Sequence, residues 1–223
     1  RSIAFMASDY STEVLLAGAL RDLERAAPNM RFEIQSMNDQ PVETLERGQI
    51  DLLLTIDYAI STEHPSQVLF EDDYVVMGCA DNPAMAEEMT QELYLQLGHI
   101  TARHGRARAP SFDDQFMRTQ PQQRRIDVVA PTFLSIPGVV VGTSRIATVH
   151  RRHAAVVAQY RRVIVREVPF DIPPIREALQ WHISNDNDPA IRWLVERLLA
   201  AAADQPVLLG NVVNLPAKRG AQF

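Results

Sequence analysis

Residues 2–36, SIAFMASDYSTEVLLAGALRDLERAAPNMRFEIQS, change hydrophobic period twice in immediate succession. SIAFMA (2–7) is a short apolar run and reads as a buried strand. Beyond it, Val14, Leu15, Ala19, Leu23 and Ala26 fall at helical spacing until Pro28-Asn29 ends the run. Ser8 and Ser11 or Thr12 suit the N-cap of that helix, and Asp9 and Glu13 stand near its positive end. RFEIQS then alternates, with Phe32 and Ile34 on one face, so it reads as a strand. Working outward, Pro41 opens a helix, PVETLERG, that stops at Gly48. IDLLLTI (50–56) follows, the continuous apolar run of a strand covered on both faces. Strand, helix, strand, helix, strand is the rhythm of a parallel sheet with crossover helices.

The remainder holds too many elements for one open sheet. VLFEDDYVVMGCA (68–80) is a long extended segment across an acidic interruption, broken by Asp81-Asn82-Pro83. Helices are predicted at 90–97, 112–119 and 152–160, with an irregular one at 133–141 around Pro137-Gly138. Strands are predicted at 99–102, 126–130, 146–149, 163–168 and 178–184, and an amphipathic helix at 188–203 presents Ile191, Leu194, Val195, Leu198 and Leu199 on one face. The extended stretches near 70–80 and 162–168 both look like crossings. The expected fold is therefore α/β, two Rossmann-like lobes joined by two antiparallel crossover strands. The first comprises 1–76 with 168–204, the second 77–167, and 205–223 is a C-terminal tail. Ligands of open α/β sheets bind beyond the carboxyl ends of the strands, which here is the cleft between lobes.

Composition narrows the function. Among 223 residues, 46% are hydrophobic and 22% charged, a globular balance. No apolar run approaches the ~18 residues of a membrane helix. A single cysteine, Cys79, leaves no intrachain disulfide; it reads as a small buried residue in a crossing strand and favours a cytoplasmic address. The chain opens at Arg1 without a leader, which suggests a processed protein or a fragment. A net charge of −6 makes the surface a poor docking face for nucleic acid. His150 and His153 do not make a metal site, because Arg151 and Arg152 lie between them and no acid or thiol cluster completes a shell. No nucleophile elbow, phosphate loop or Cys-His signature appears, so neither a catalytic group, a metal nor a cofactor is assigned.

FMASDYSTEVLLAGALRDLERAAP, LERGQIDLLLT and VLFEDDYVVMGCADNP, in that order, resemble the effector-binding domain of LysR-type transcriptional regulators. HITARHGRARAPSFDDQF, RRIDVVAP, GTSRIATVHRR and ALQWHISNDNDPAIRWLVERL are similar to its nodulation-regulator branch and to relatives responding to naphthalene breakdown products and salicylate. The resemblance covers about residues 1–204. It implies a fold like the type 2 periplasmic binding proteins and a homodimer or tetramer. It also implies a DNA-binding helix-turn-helix ahead of this domain, which nothing in the chain resembles, with promoter DNA reached through it and RNA polymerase as a further partner. The expected function is that of an inducer-binding domain sensing a small aromatic compound (a phenol, chlorophenol or flavonoid-like polyphenol) in the cleft. The alternative is a periplasmic solute-binding protein of the same two-lobe plan.

Four groups of residues are expected at the ligand. Ser8, Asp9, Tyr10, Ser11 and Thr12 lie where a helix start offers free N–H groups and hydroxyls to an anionic or phenolic oxygen. Thr101, Arg103 and His104 end a second-lobe strand, where Arg103 or His104 could neutralise a carboxylate or phenolate. Thr132 and Phe133 end another; Phe133 offers a ring for stacking, and the salicylate-responsive relatives carry histidine at the position of Thr132. Gln180 and His182 share one face of a strand whose other face carries Trp181 and Ile183; one pair should look into the cleft.

Overall fold

The computed structural model describes residues 1–105 and 107–204, without the side chain of His104. The expected tail, 205–223, lies outside the described residues. The chain begins with β1 (Ser2–Ala7), followed by a helix in three pieces: α1 (Asp9–Ser11), a π-turn (Thr12–Leu16) and α2 (Ala17–Ala26). Then come β2 (Arg31–Ser36), α3 (Pro41–Glu46) and β3 (Leu52–Ile56). β1 pairs in parallel with both β2 and β3, the parallel sheet that the opening periodicity predicts. β4 (Ser66–Asp72) closes this part of the chain at the far edge of the same sheet.

The second sheet is built from β5 (Tyr74–Cys79), α4 (Gln91–Gln96), β6 (Gly98–His104), the short β7 (Ala109–Pro110), α5 (Phe112–Arg118), β8 (Arg125–Ala130), α6 (Ile136–Val140), β9 (Ile146–His150), α7 (Arg151–Val157) and β10 (Val163–Glu167). Its order is β10-β5-β9-β6-β7, with β8 beside β6. The chain then returns to the first sheet as β11 (Ile175–Trp181), antiparallel between β3 and β4, and ends in α8 (Pro189–Ala203). The first sheet is thus β2-β1-β3-β11-β4. Among the described residues no helix is long and apolar enough to cross a membrane.

Two expected elements are displaced. The stretch 68–80 is not one strand: Asp73 separates β4 in the first sheet from β5 in the second, so the sheets change three residues earlier than the boundary expected at 76. The strand expected at 178–184 runs over 175–181 instead. His182 leaves the extended ladder because its carbonyl accepts the Asn185 N–H at 2.8 Å and its ring caps Ser184 N–H, starting a 3-10 turn. The period-2 pattern continues past Trp181, but these local bonds win.

The first core is held between β1, the opening helix and α8. Ile3, Phe5, Leu15, Leu16, Ile191, Leu194 and Leu198 are fully buried there. Three consecutive residues of the π-turn, Val14, Leu15 and Leu16, are all inside, more than one face of a helix usually hides. This segment touches both α8 and the second lobe's α7, so it is covered on two sides. The second core is Val75, Met77, Ile100, Ala102, Ala147, Val149 and Val157.

Behind the second sheet lies a buried ionic knot. Arg124 donates to Asp113 at 2.8 Å and Asp114 at 3.2 Å, and to the Tyr94 hydroxyl at 3.1 Å. Tyr94 in turn meets Thr148 at 2.7 Å. Without Arg124, among the described residues Asp113 keeps only the Ser111 hydroxyl (2.6 Å) and Asp114 only the half-exposed Arg118 (3.0 Å), and breaking a buried ion pair costs ~3–5 kcal/mol in comparable cases. Arg124→Met should therefore lower the urea unfolding free energy by about that amount; a loss below about 1 kcal/mol would show that the knot contributes little.

Candidate functional site

The carboxyl ends of the strands of both lobes face one cavity of about 420 Å³. The first lobe contributes Ala7, Ser8, Asp9 and Tyr10, where β1 gives way to α1, together with Leu54, Thr55 and Ile56 of β3. The second contributes Tyr74, Ser111, Phe112, Thr132, Phe133 and His150. The returning strand β11 adds Ile175 and Glu177 to the wall.

Aromatic rings form a continuous arc along this wall. Tyr58 lies 5.8 Å from Phe112 across the cleft, and Phe112 stacks on Tyr74 at 6.4 Å with planes 15° apart. Tyr74 is 4.7 Å from His150, His150 is 4.2 Å from Tyr10, and Phe133 sets its edge against both Tyr10 (6.2 Å) and His150 (5.3 Å). Such offset and edge-on pairs contribute ~0.5–1.5 kcal/mol each and fix ring orientation, so the wall is preorganised for a flat apolar ligand.

The polar groups at the cavity are largely engaged already. Ser8 caps the helix by accepting the Ser11 N–H at 3.0 Å, and its hydroxyl also meets that of Ser11 at 2.7 Å. Thr12 donates to the Ser8 carbonyl at 2.8 Å. The carboxylate of Asp9 accepts the backbone N–H of Leu134 at 2.7 Å, a bond from one lobe to the other. Tyr10, fully buried, donates to Asp72 at 2.6 Å. Ser11 donates to Glu177 at 2.5 Å.

Of the residues expected from sequence, the structure brings Ser8, Asp9, Tyr10, Thr132 and Phe133 to the cavity wall. Ser11 and Thr12 lie one turn behind it, in the capping network. Thr101 is buried within β6 and Arg103 pairs opposite Pro110; neither lines the cavity. The side chain of His104 lies outside the described residues. Neither pair on the last strand reaches the cleft. Gln180 is fully buried, donating to the carbonyls of Ser61 (2.7 Å) and His64 (3.3 Å) and accepting the Ser61 N–H (3.0 Å), so it fastens a loop. His182 bonds Ser184 at 2.7 Å, and Trp181 lies in the first core.

Sequence reasoning missed Tyr74, Phe112, His150 and Glu177. One signal was present for Glu177: a lone acid in the apolar run IREALQW, where burial on both faces tolerates charge only for a reason. A strand start read at Ala178 hides it. Burial raises the Glu177 carboxyl from the ordinary range to about 7, with the Asp72 charge adding to the effect and the Ser11 hydrogen bond opposing it. Asp72 is likewise raised by burial to about 6, against the hydrogen bonds from Tyr10 and the Arg152 N–H.

The family model described as LysR substrate binding domain matches residues 1–203. Nodulation protein D 3 of Rhizobium leguminosarum bv. phaseoli is 34% identical over 198 residues, which are 89% of this chain and 66% of that protein. Nodulation protein D 1 of Mesorhizobium japonicum is 33% identical over 206 residues, 91% of this chain and 65% of that protein. The chain therefore spans just under two thirds of these curated relatives. Among solved structures, a probable transcriptional regulator from Pseudomonas aeruginosa superposes with a TM-score of 0.81 at 27% identity, over 89% of this chain and 67% of that one. The regulatory domain of MexT, a transcriptional activator in Pseudomonas aeruginosa, gives 0.78 at 21% identity, over 90% and 99%, and shares the fold.

The raised carboxyls make stability depend on pH. Glu177 is protonated in the folded state up to about pH 7 but ionises near its ordinary 4.5 once unfolded. Its contribution is therefore fully present below about pH 4.5 and is lost as pH rises towards 7. His99, lowered by burial to about 4, works in the opposite sense between about 4 and 6.5, so the total curve mixes both. The difference between parent and Glu177→Gln isolates the carboxyl. In urea unfolding, the variant should gain on the parent by on the order of 2–3 kcal/mol between pH 4.5 and pH 8; a pH-independent difference would refute the assignment.

Proposed function

The chain belongs to the LysR substrate-binding domain family, and on that premise we propose that it is the inducer-binding portion of a transcriptional regulator that senses a small aromatic compound between its lobes. The observation that carries this reading is the arc of six rings (Tyr58, Phe112, Tyr74, His150, Tyr10 and Phe133) around a cavity of about 420 Å³. That volume falls in the range that encloses drug-sized ligands, and an apolar wall with few polar groups is the usual chemistry of such sites. Rings also give a planar ligand two faces to stack on. The solute-binding alternative shares the two-lobe plan but draws no support from the family or from relatives named as nodulation proteins.

In this reading Ser8, Asp9 and Tyr10 contact the ligand from the first lobe and Thr132 and Phe133 from the second. A ligand held by both lobes binds one interlobe arrangement better than another, and only such a difference moves an equilibrium. Self-association, the promoter and RNA polymerase belong to the same proposal. The shifted lobes would be read by a neighbouring copy and by a DNA-binding segment of the longer protein.

Isothermal calorimetry against phenols, chlorophenols, flavonoids and aromatic acids tests it. At least one should bind one-to-one, and at a hundred times its Kd should add about 2.7 kcal/mol to unfolding stability. Phe133→Ala should weaken that ligand about five- to thirtyfold through lost stacking and contact area. If no aromatic binds, or if Phe133→Ala leaves every affinity unchanged, the reading fails.

A further inference from the structure

Among the described lining residues the cavity is one-sided in charge. Among the described lining residues the formal charges are carboxyls alone, Asp9 and Glu177, with no arginine or lysine. Asp9 already accepts the Leu134 N–H. Glu177 sits on β11 with its side chain completely enclosed, and the only hydrogen bond it receives among the described residues is from Ser11. Asp72, one shell behind, adds a third carboxyl close enough to act on both Glu177 and Tyr74, and the Arg152 charge that offsets it lies on that same far side, outside the described lining. Among the described lining residues the imidazole is that of His150, packed against the rings of Tyr10 and Tyr74.

Tyr74 adds its ring to the same wall, but its hydroxyl is sealed behind that wall, with no accessible surface and no hydrogen-bond partner among the described residues. The Tyr10 hydroxyl is committed to Asp72. Glu177 receives the Ser11 hydroxyl on Oε1, so among the described residues its Oε2 remains an acceptor on a wall of rings.

Building on the reading of an aromatic inducer, we propose that Glu177 is the residue that sets specificity: it accepts a hydrogen bond from a ligand hydroxyl, and carboxylated aromatics are turned away. A ligand carboxylate placed here would be buried beside carboxyls, with no arginine or lysine among the described lining residues to neutralise it, and unpaired buried charge is the strongest rejection a site can build. Above about pH 7, where Glu177 is ionised, a phenolic hydroxyl instead supplies the proton its carboxylate lacks. A methyl ether has the same shape but leaves Glu177 without its donor, and a site built to bond a hydroxyl discriminates sharply against an analogue lacking it.

Two matched series separate these cases: β-naphthol, its methyl ether and β-naphthoate; and para-phenylphenol, its methyl ether and the corresponding biphenyl carboxylate. Calorimetry on the purified chain at about pH 8 keeps Glu177 largely ionised. In at least one series the phenol should bind, its ether about tenfold or more weaker, and its carboxylate about a hundredfold weaker. Glu177→Gln should shrink the carboxylate penalty at least tenfold, while Tyr74→Phe, which removes only an enclosed hydroxyl, should leave the ranking unchanged. If Glu177→Gln does not melt cooperatively, the ranking on the parent and on Tyr74→Phe decides alone. Binding by no compound of either series, together with silence across the wider aromatic panel, would defeat the aromatic reading and this inference with it. Equal binding of phenol and carboxylate, or an unchanged ranking in Glu177→Gln, would overturn the role of Glu177 and leave the aromatic reading standing.

Discussion

Everything about the cavity depends on how the chain passes between its two sheets. At Asp72-Asp73 one residue separates a strand of the first sheet from a strand of the second, and the acidic pair is held from both sides. The buried carboxyl of Asp72 accepts the Tyr10 hydroxyl from the first lobe and the Arg152 N–H from the second. Arg151 donates to Asp73 and to Glu167 at the end of the returning strand β10. One arginine at the start of α7 thereby fastens both crossings. A carboxyl buried at such a point costs desolvation, which is why Asp72 is raised to about 6, and only its hydrogen bonds make the position tolerable.

Further interlobe bonds surround this crossing. Glu13 on the opening helix takes His153 at 2.5 Å and the Tyr160 hydroxyl at 3.2 Å, while Asp9 takes Leu134 N–H. The residues that line the cavity and those that join the lobes are thus neighbours or the same residues. A ligand that moved Tyr10 or Asp9 would act directly on bonds between lobes, without needing a relay through the core. Under the proposed sensing role, that economy would convert a guest in the cleft into lobe geometry by the shortest available route.

The fold was legible because it is written in periodicity. SIAFMA, RFEIQS and IDLLLTI give β1, β2 and β3, and the helical spacing from Val14 to Ala26 gives the opening helix, because burial against a sheet leaves no other pattern. Where local hydrogen bonding competes with hydrophobic period, pattern and structure part. The 3-10 turn after His182 ends β11 earlier than alternation suggests, and the π-turn at Thr12–Leu16 leaves no mark in a spacing compatible with an ordinary helix. The crossing is visible as an acidic break, yet its position at Asp73 is set by sheet pairing, which no local signal encodes.

The site was legible only where function coincides with a helix cap or a strand end. Ser8, Asp9 and Tyr10 follow β1, and Thr132 and Phe133 follow β8, so the rule that open α/β sheets form their crevice beyond the carboxyl ends was enough to put them on the cavity wall. Tyr74, Phe112, His150 and Glu177 come from a crossing strand, a helix start, the last residue of β9 and the middle of β11. They converge only after two lobes fold and face each other. Gln180 illustrates the converse. Its polar side chain on an apolar strand resembles a recognition group, but three bonds to the Ser61–His64 loop consume its amide. Its neighbour three residues earlier, Glu177, has one such bond and a face on the cavity, and the difference between them is a count of satisfied hydrogen bonds that only three-dimensional structure supplies.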